Sequence, residues 1–298
     1  MLLQSPPTVE QFLGSEAISS YETARAVILP IPYEATTTYR KGCETGPDAA
    51  IEASQQLEAY DEELRRETCI EVGIYTREAI ADTRRHPDLT AEEMLDITTE
   101  TVSKLIADGK FVVAIGGEHA ITTGVVRAYL QTLQEPFTVV QIDAHGDMRD
   151  EYEGSRHNHA CVMRRVLEMG LPTLPVGIRA ICKEEAELIR EQEIPVFWDR
   201  EIDRSPDWIE RAIASIRTEK VFITIDVDGI DPALIPGVGT PEPGGLGWNE
   251  TLRFLRRVFQ SKEVIGCDVM ELAPIADSVV SEFTTAKLIY KLIGYRFS

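Results

Sequence analysis

Short apolar runs alternate with longer amphipathic stretches along the chain. The runs Ala26–Leu29, Phe111–Ile115, Phe137–Ile142, Leu174–Ile178, Val221–Ile225 and Val264–Val269 are rich in Val and Ile. Several are apolar at consecutive positions, where a strand with one wet face would alternate. That pattern predicts strands buried on both faces, as in a parallel sheet covered by helices. Between them, Thr90-Ala-Glu-Glu93 has the form of a capping box, in which hydroxyl and carboxylate satisfy free backbone donors. Leu95, Val102, Leu105 and Ile106 then share one helical face, and Gly109 supplies a stop. Asn249 is expected to cap a helix over Glu250–Phe259, and a last helix is expected over Ser278–Leu292. Strands alternating with helices predict βαβ units, hence an α/β fold: a three-layer α/β/α sandwich around a central, mostly parallel sheet. With no repeat, low-complexity tract or long Pro/Gly/Ser linker, residues 1–298 read as one domain.

Four of the strands run into chemically capable residues. Phe111–Ile115 leads into Gly116-Gly-Glu118-His119, Phe137–Ile142 into Asp143-Ala-His145-Gly-Asp147, Val221–Ile225 into Asp226-Val-Asp228, and Val264–Met270 into Glu271. Open parallel sheets bind ligands beyond the carboxyl ends of their strands. Four segments distant in sequence are therefore expected at one sheet edge.

Composition narrows the partners. The formal net charge of -20 argues against nucleic acid or an anionic membrane and favours a cationic substrate. Solubility alone also accounts for an acidic surface. The five cysteines are odd in number and form no C-x-x-C pair, which points to a reducing cytoplasm rather than a disulfide framework. Met1 to Glu10 lacks a basic region and a long apolar core, so no signal peptide is expected, and no apolar stretch approaches membrane-spanning length.

Asp143, His145 and Asp147 are spaced by two, as are Asp226 and Asp228, so in extended segments each set points one way. A lone Asp after a strand is usually a turn or cap residue, and D-x-D is common; D-x-H-x-D at a strand end is far more specific. Of five histidines, His119, His145, His157 and His159 lie in or near these segments. Four converging carboxylates raise one another's pKa and cannot all stay ionised without a countercharge. Two divalent ions would neutralise the four Asp. An oxygen-rich set with imidazoles suits Mn²⁺ better than structural zinc.

Taken together, Gly116-Gly-Glu-His119, Asp143-Ala-His-Gly-Asp147 and Asp226-Val-Asp-Gly-Ile-Asp-Pro232 resemble the three signature segments of the ureohydrolases, the group containing arginases and agmatinases. Pro236-Gly-Val-Gly-Thr-Pro241 and Gly244-Gly245 resemble the loop that follows, and the likeness runs in order over roughly residues 25 to 295. It implies an arginase-like fold and two Mn²⁺ per subunit. His119, Asp143, Asp147 and Asp226 would hold one ion; His145, Asp143, Asp226 and Asp228 would hold the other. It further implies that Glu271 pairs with the guanidinium, that Asp147 orients the attacking water and receives its proton, and that His159 passes a proton to the leaving amine. Glu118 is expected to support His119, and His157 to line a substrate loop.

The resemblance implies a homo-oligomer, trimer or hexamer, acting on a small cationic guanidino compound. Two departures stand out. Gly146 replaces a usual Thr or Ser and is expected to loosen its turn. Val238 replaces a usual Thr and is expected to alter a hydrogen bond near the cleft. The substrate tail is assigned to Arg149–His159 and to Gly177–Glu185, with Arg149 and Glu185 as contacts. Cys182 stands where arginases carry an acid, and Asp147-Met-Arg-Asp150 is similar to the agmatinase branch. Agmatine, giving putrescine and urea, is thus the expected substrate, ahead of arginine and guanidinobutyrate. Arg149 could instead recognise a carboxylate. Outside this group, a one-zinc deacylase or a non-catalytic relative would show a different metal count or no urea release.

Overall fold

The six anticipated strands form, and two short ones join them at the sheet edges. The computed structural model describes residues 9–14 and 19–298, so most of the Met1–Glu10 segment lies outside the described residues. The strands are β1 (Ala26–Ile31), β2 (Ile74–Thr76), β3 (Phe111–Gly116), β4 (Thr138–Ile142), β5 (Thr173–Ile178), β6 (Phe197–Trp198), β7 (Lys220–Asp226) and β8 (Glu263–Met270). They make one sheet in the order β2-β1-β3-β8-β7-β4-β5-β6. Every pairing within it is parallel. The unanticipated β2 and β6 are only three and two residues long, too short to show a period.

Register explains the consecutive apolar runs. Ile28, Val113, Cys267, Ile223 and Val140 form one row across the sheet and sit in one core cluster. Their neighbours Val27, Val112, Phe222 and Val139 face the other core. On the first side pack the helices Gly46–Ser54, Trp208–Ser215, Trp248–Ser261 and Val280–Arg296. On the second pack Ala91–Ala107, Thr122–Leu133, Val162–Glu168 and Lys183–Glu191. The result is the expected α/β/α sandwich, with the sheet wholly rather than mostly parallel.

The capping box forms as read: Thr90 Oγ1 accepts the Glu93 backbone N–H, and Glu93 accepts that of Thr90. The Asn249 cap does not. That helix starts at Trp248 with Gly247 as cap, because Thr251 Oγ1 donates back to Gly247 O at 3.0 Å and draws the first turn in. The last helix runs later than expected, Val280–Arg296, and is buried almost throughout its second half. A helix buried on every side, with Lys291 among its buried residues, shows no single apolar face from which to read an end. All five cysteines are free. Among the described residues, no helix is long and apolar enough to cross a membrane.

The strand order matters most for function. β3, β8, β7 and β4 are consecutive in the sheet. These are the four strands whose ends carry Glu118-His119, Glu271, Asp226-Asp228 and Asp143–Asp147.

Candidate metal centre and active site

The four strand ends bring their side chains into one cluster. His119 Nδ1 lies 3.2 Å from Asp143 Oδ2, 3.1 Å from Asp147 Oδ2 and 3.4 Å from Asp226 Oδ2. His145 Nδ1 lies 2.9 Å from Asp228 Oδ2 and 3.7 Å from Asp143 Oδ1. Two potential metal-holding triads result, His119/Asp143/Asp147 and Asp143/His145/Asp228, with Asp143 common to both. Apart from His145, every member is buried.

These side chains converge for a different reason from the period-two argument. Asp226 ends β7, but Asp228 sits in the turn Val227–Gly229, held by its N–H donating to Asp226 Oδ1 at 2.9 Å. Asp143 Oδ1 likewise accepts the His145 N–H at 2.6 Å, curling that segment. Asp147 has φ 53 and Glu271 has φ 67, left-handed conformations that non-glycine residues adopt at a cost of about 1–3 kcal/mol. Side-chain-to-backbone bonds, not strand pleating, aim the cluster. The two segments are further tied by Ala144 N–H donating to Asp228 Oδ1 at 3.0 Å. Gln141 Nε2 donates to Asp143 Oδ2 at 2.8 Å.

Electrostatics require something positive at the centre. Burial and the neighbouring Asp143 push Asp147 up to about 7. Burial, then Asp228 and Asp143, raise Asp226 well above the carboxylate range. Burial opposes a charged imidazole at His145, yet Asp228 and Asp143 lift it to about 12. Burial also opposes the charge on Asp143, but hydrogen bonds from His119 and His145 outweigh it and lower the pKa. The centre must therefore fill with protons or with cations.

His119 distinguishes these. Its Nε2 lies 2.9 Å from Thr224 Oγ1. Thr122 Oγ1 donates to Asp268 Oδ2 at 2.9 Å and lies 3.3 Å from Thr224 Oγ1. With the Thr122 proton committed to Asp268, the Thr224 hydroxyl donates to Thr122 and accepts from His119 Nε2, which leaves a lone pair on Nδ1. That buried Nδ1 has no hydrogen-bond partner and faces three carboxylate oxygens. A lone pair against three anions is repulsive; a divalent cation among them turns all four atoms into ligands. The donor set fits an oxygen-preferring divalent ion. Thr224 and Asp268 were not singled out in the sequence, although a polar pair inside two otherwise apolar runs is itself a signal.

Glu271, at the end of β8, accepts the His119 backbone N–H on Oε1 at 2.7 Å. Burial raises its pKa well above the ordinary value. It lines a cleft of ≈ 280 Å³ together with His145, Asp147, Asp226, Asp228, His159, Arg149, Cys182 and Glu185. His159 is lowered to about 4, first by burial and then by repulsion from His145 and His119. Arg149 stacks on Tyr152, 4.5 Å from the ring centre. Both Glu185 oxygens are engaged, Oε1 by Met148 N–H at 2.8 Å and Oε2 by Cys182 N–H at 2.6 Å. Glu185 therefore ties Met148 to Cys182 as well as lining the cleft.

Three expectations need correction, for Glu118, His157 and Gly146. Glu118 makes no hydrogen bond to the His119 ring; its carboxylate holds Ala35 and Thr36 instead. His157 is not among the residues lining the cleft. Val238 is buried in the core, and its carbonyl accepts Arg40 Nη1 at 3.2 Å, a bond that does not depend on the side chain. Gly146 is packed, not loose: a Cβ there would lie 3.0 Å from Ile181 Cγ2 and 3.1 Å from Glu185 Oε1. Gly146→Thr is accordingly expected to destabilise the fold by about 1–3 kcal/mol. Thermal unfolding checks this; an unchanged midpoint would show that Glu185 yields freely. The sequence reading also passed over Thr37–Arg40, Thr240 and Glu242, which line the cleft. The hydroxyl-rich run Thr36-Thr-Thr-Tyr39, beyond the end of β1 at the same sheet edge, was the available signal.

A parallel sheet with a buried carboxylate–imidazole centre at its carboxyl edge, a carboxylate poised above it and an open cleft defines a metal-assisted hydrolase. Residues 24–294 match the arginase family, and the chain belongs to it: it is a ureohydrolase of agmatinase type, hydrolysing a guanidino C–N bond. It is 68% identical over 286 residues to the N(1)-aminopropylagmatine ureohydrolase of Synechocystis, covering 96% of this chain and 94% of that one. It is 34% identical to the agmatinase of Pyrococcus horikoshii, over 90% of each chain. The agmatine ureohydrolase of Thermoplasma volcanium superimposes with a TM-score of 0.83 at 30% identity, covering 97% of this chain and 95% of that one. The family depends on a binuclear metal centre, and the two triads sharing Asp143 are the candidate ligands here.

Proposed function

We propose that this protein hydrolyses N1-aminopropylagmatine to spermidine and urea, with two Mn²⁺ held by His119, Asp143, His145, Asp147, Asp226 and Asp228. The observation that carries the reading is the meeting of two ligand triads and Glu271 in one cleft. When bound, the ions supply an activated water at neutral pH. The chain's own residues do the rest. Glu271 Oε1 is braced by the His119 N–H, while Oε2 has no hydrogen-bond partner among the described residues and meets the guanidinium. Asp147, in the same cluster, orients the water and takes its proton. His159, on the cleft wall, delivers a proton to the departing amine.

The tail assignment draws on the 68% identity with the Synechocystis enzyme named for aminopropylagmatine. Agmatine, the substrate expected from sequence, is the shorter analogue of the same molecule. Beyond the metal ligands, Glu185, Glu242 and Glu271 line the cleft against two arginines, which suits a cationic tail. The arginines are occupied, Arg40 by the carbonyls of Val238 and Pro274 and Arg149 by Tyr152. Glu242, on the rim, has no side-chain partner among the described residues and is available to an ammonium.

Urea release should be fastest from N1-aminopropylagmatine, slower from agmatine, and near background from L-arginine and guanidinobutyrate, whose carboxylates this lining repels. Arginine turnover exceeding both amines would overturn the substrate reading. Glu242→Gln is expected to raise KM for the aminopropylated compound by about 5-fold, the scale of one exposed ion pair, with a smaller effect on agmatine. Equal shifts for the two compounds would remove Glu242 from tail recognition.

A further inference from the structure

We propose that Glu118 is a positioning residue that sets the place and tautomer of His159 through Thr36; this rests on the reading of His159 as proton donor to the leaving amine. Glu118 is fully buried on the turn that follows β3. Its Oε2 accepts the backbone N–H groups of Ala35 and Thr36, both at 2.6 Å, and its Oε1 accepts the Thr36 hydroxyl at 2.7 Å. A buried carboxylate with three local donors holds that turn firmly.

Thr36 then reaches across 123 residues of sequence to the other wall. Its Oγ1 accepts the His159 backbone N–H at 3.0 Å and lies 3.4 Å from His159 Nδ1. Asn158 Nδ2 donates to Thr36 O at 3.4 Å, a second tie between the same segments. A hydroxyl carries one proton. Glu118 accepts it, so His159 Nδ1 can meet Thr36 only as a donor. The neutral ring then keeps its proton on Nδ1 and bares Nε2, the nitrogen with no protein partner among the described residues. That is the nitrogen free to pick up a proton and deliver it within the cleft.

The strand-end motif Gly116-Gly-Glu-His119 thereby has three outputs. His119 offers its ring to the metal centre, its N–H braces Glu271, and Glu118 braces the loop behind His159. Its glycines are needed for closeness: a Cβ at Gly117 would lie 2.1 Å from Tyr33 O, the residue just before the Glu34–Thr36 turn.

The test uses metal-loaded full-length enzyme, with kcat, KM, metal content and thermal unfolding measured for Thr36→Val, Thr36→Ser, Glu118→Gln and His159→Asn. Thr36→Val and Glu118→Gln should lower kcat by about 10- to 100-fold, the scale of a misplaced catalytic group, with KM and metal content near wild type. Thr36→Ser, which keeps the hydroxyl, should retain wild-type kcat. In the His159→Asn background, adding either change should have no further effect, because both act through that ring. Losses that multiply in the double variants would overturn the positioning role while leaving the reading of His159 intact. Wild-type turnover in His159→Asn would instead remove that reading, and the proposal with it. Should Glu118→Gln fail to fold, the near-isosteric Thr36→Val carries the cycle alone.

Discussion

Asp143→Asn is expected to strip the centre of its ions and lower turnover by more than about 100-fold, beyond the usual effect of disturbing a supporting residue. Asp143 is the one residue shared by both triads. Its Oδ2 faces His119 Nδ1 at 3.2 Å and its Oδ1 faces His145 Nδ1 at 3.7 Å. Both oxygens also accept protein donors, Oδ2 from Gln141 Nε2 and Oδ1 from the His145 N–H. An asparagine must turn an NH₂ toward one of these sites. There it meets a donor head-on and offers no lone pair to an ion. Elemental analysis should find fewer than two manganese per subunit, alongside the lost urea release. Two bound ions and wild-type turnover would sink the ligand assignment.

Glu271→Gln should separate substrate binding from metal binding. The carboxylate is buried, and a guanidinium entering the cleft would pair with it out of bulk water. Removing one partner of a buried, hydrogen-bonded charge pair costs about 2–5 kcal/mol. That corresponds to a fall in kcat/KM of about 30- to 4,000-fold. Gln Oε1 can still accept the His119 N–H, so the backbone at the centre keeps its brace. Metal content should therefore stay at the wild-type value, in contrast to Asp143→Asn. A kcat/KM within a factor of about three of wild type, less than the smallest expected loss, would remove Glu271 from guanidinium recognition.

Much of the site was legible because strand ends concentrate chemistry. Gly116–His119, Asp143–Asp147, Asp226–Asp228 and Glu271 each follow an apolar run, and parallel topology sends all four to one edge. The reason offered for their shared direction did not survive. Asp228 and Asp147 point inward through turns locked by local hydrogen bonds and a left-handed φ, geometry that no side-chain period encodes. Gly146 shows the same limit from the other side. In sequence it is a missing hydroxyl; in the fold its space is filled by Ile181 and Glu185, residues from after β5. Glu118 was assigned to its neighbour in sequence, His119, whereas its partners lie more than 80 residues away.

By itself the sequence determined the layer architecture, the six long strands, the capping box at Thr90 and the inventory of carboxylates and imidazoles, because each follows from local periodicity or residue chemistry. The tertiary structure alone decided which strands are neighbours, that β8 and β7 insert between β3 and β4, and so that the strand ends carrying Glu271 and Asp226 lie between those carrying His119 and Asp143. Strand order is set by how helices pack over both faces of the whole sheet, a balance spread over all eight strands that no single segment carries.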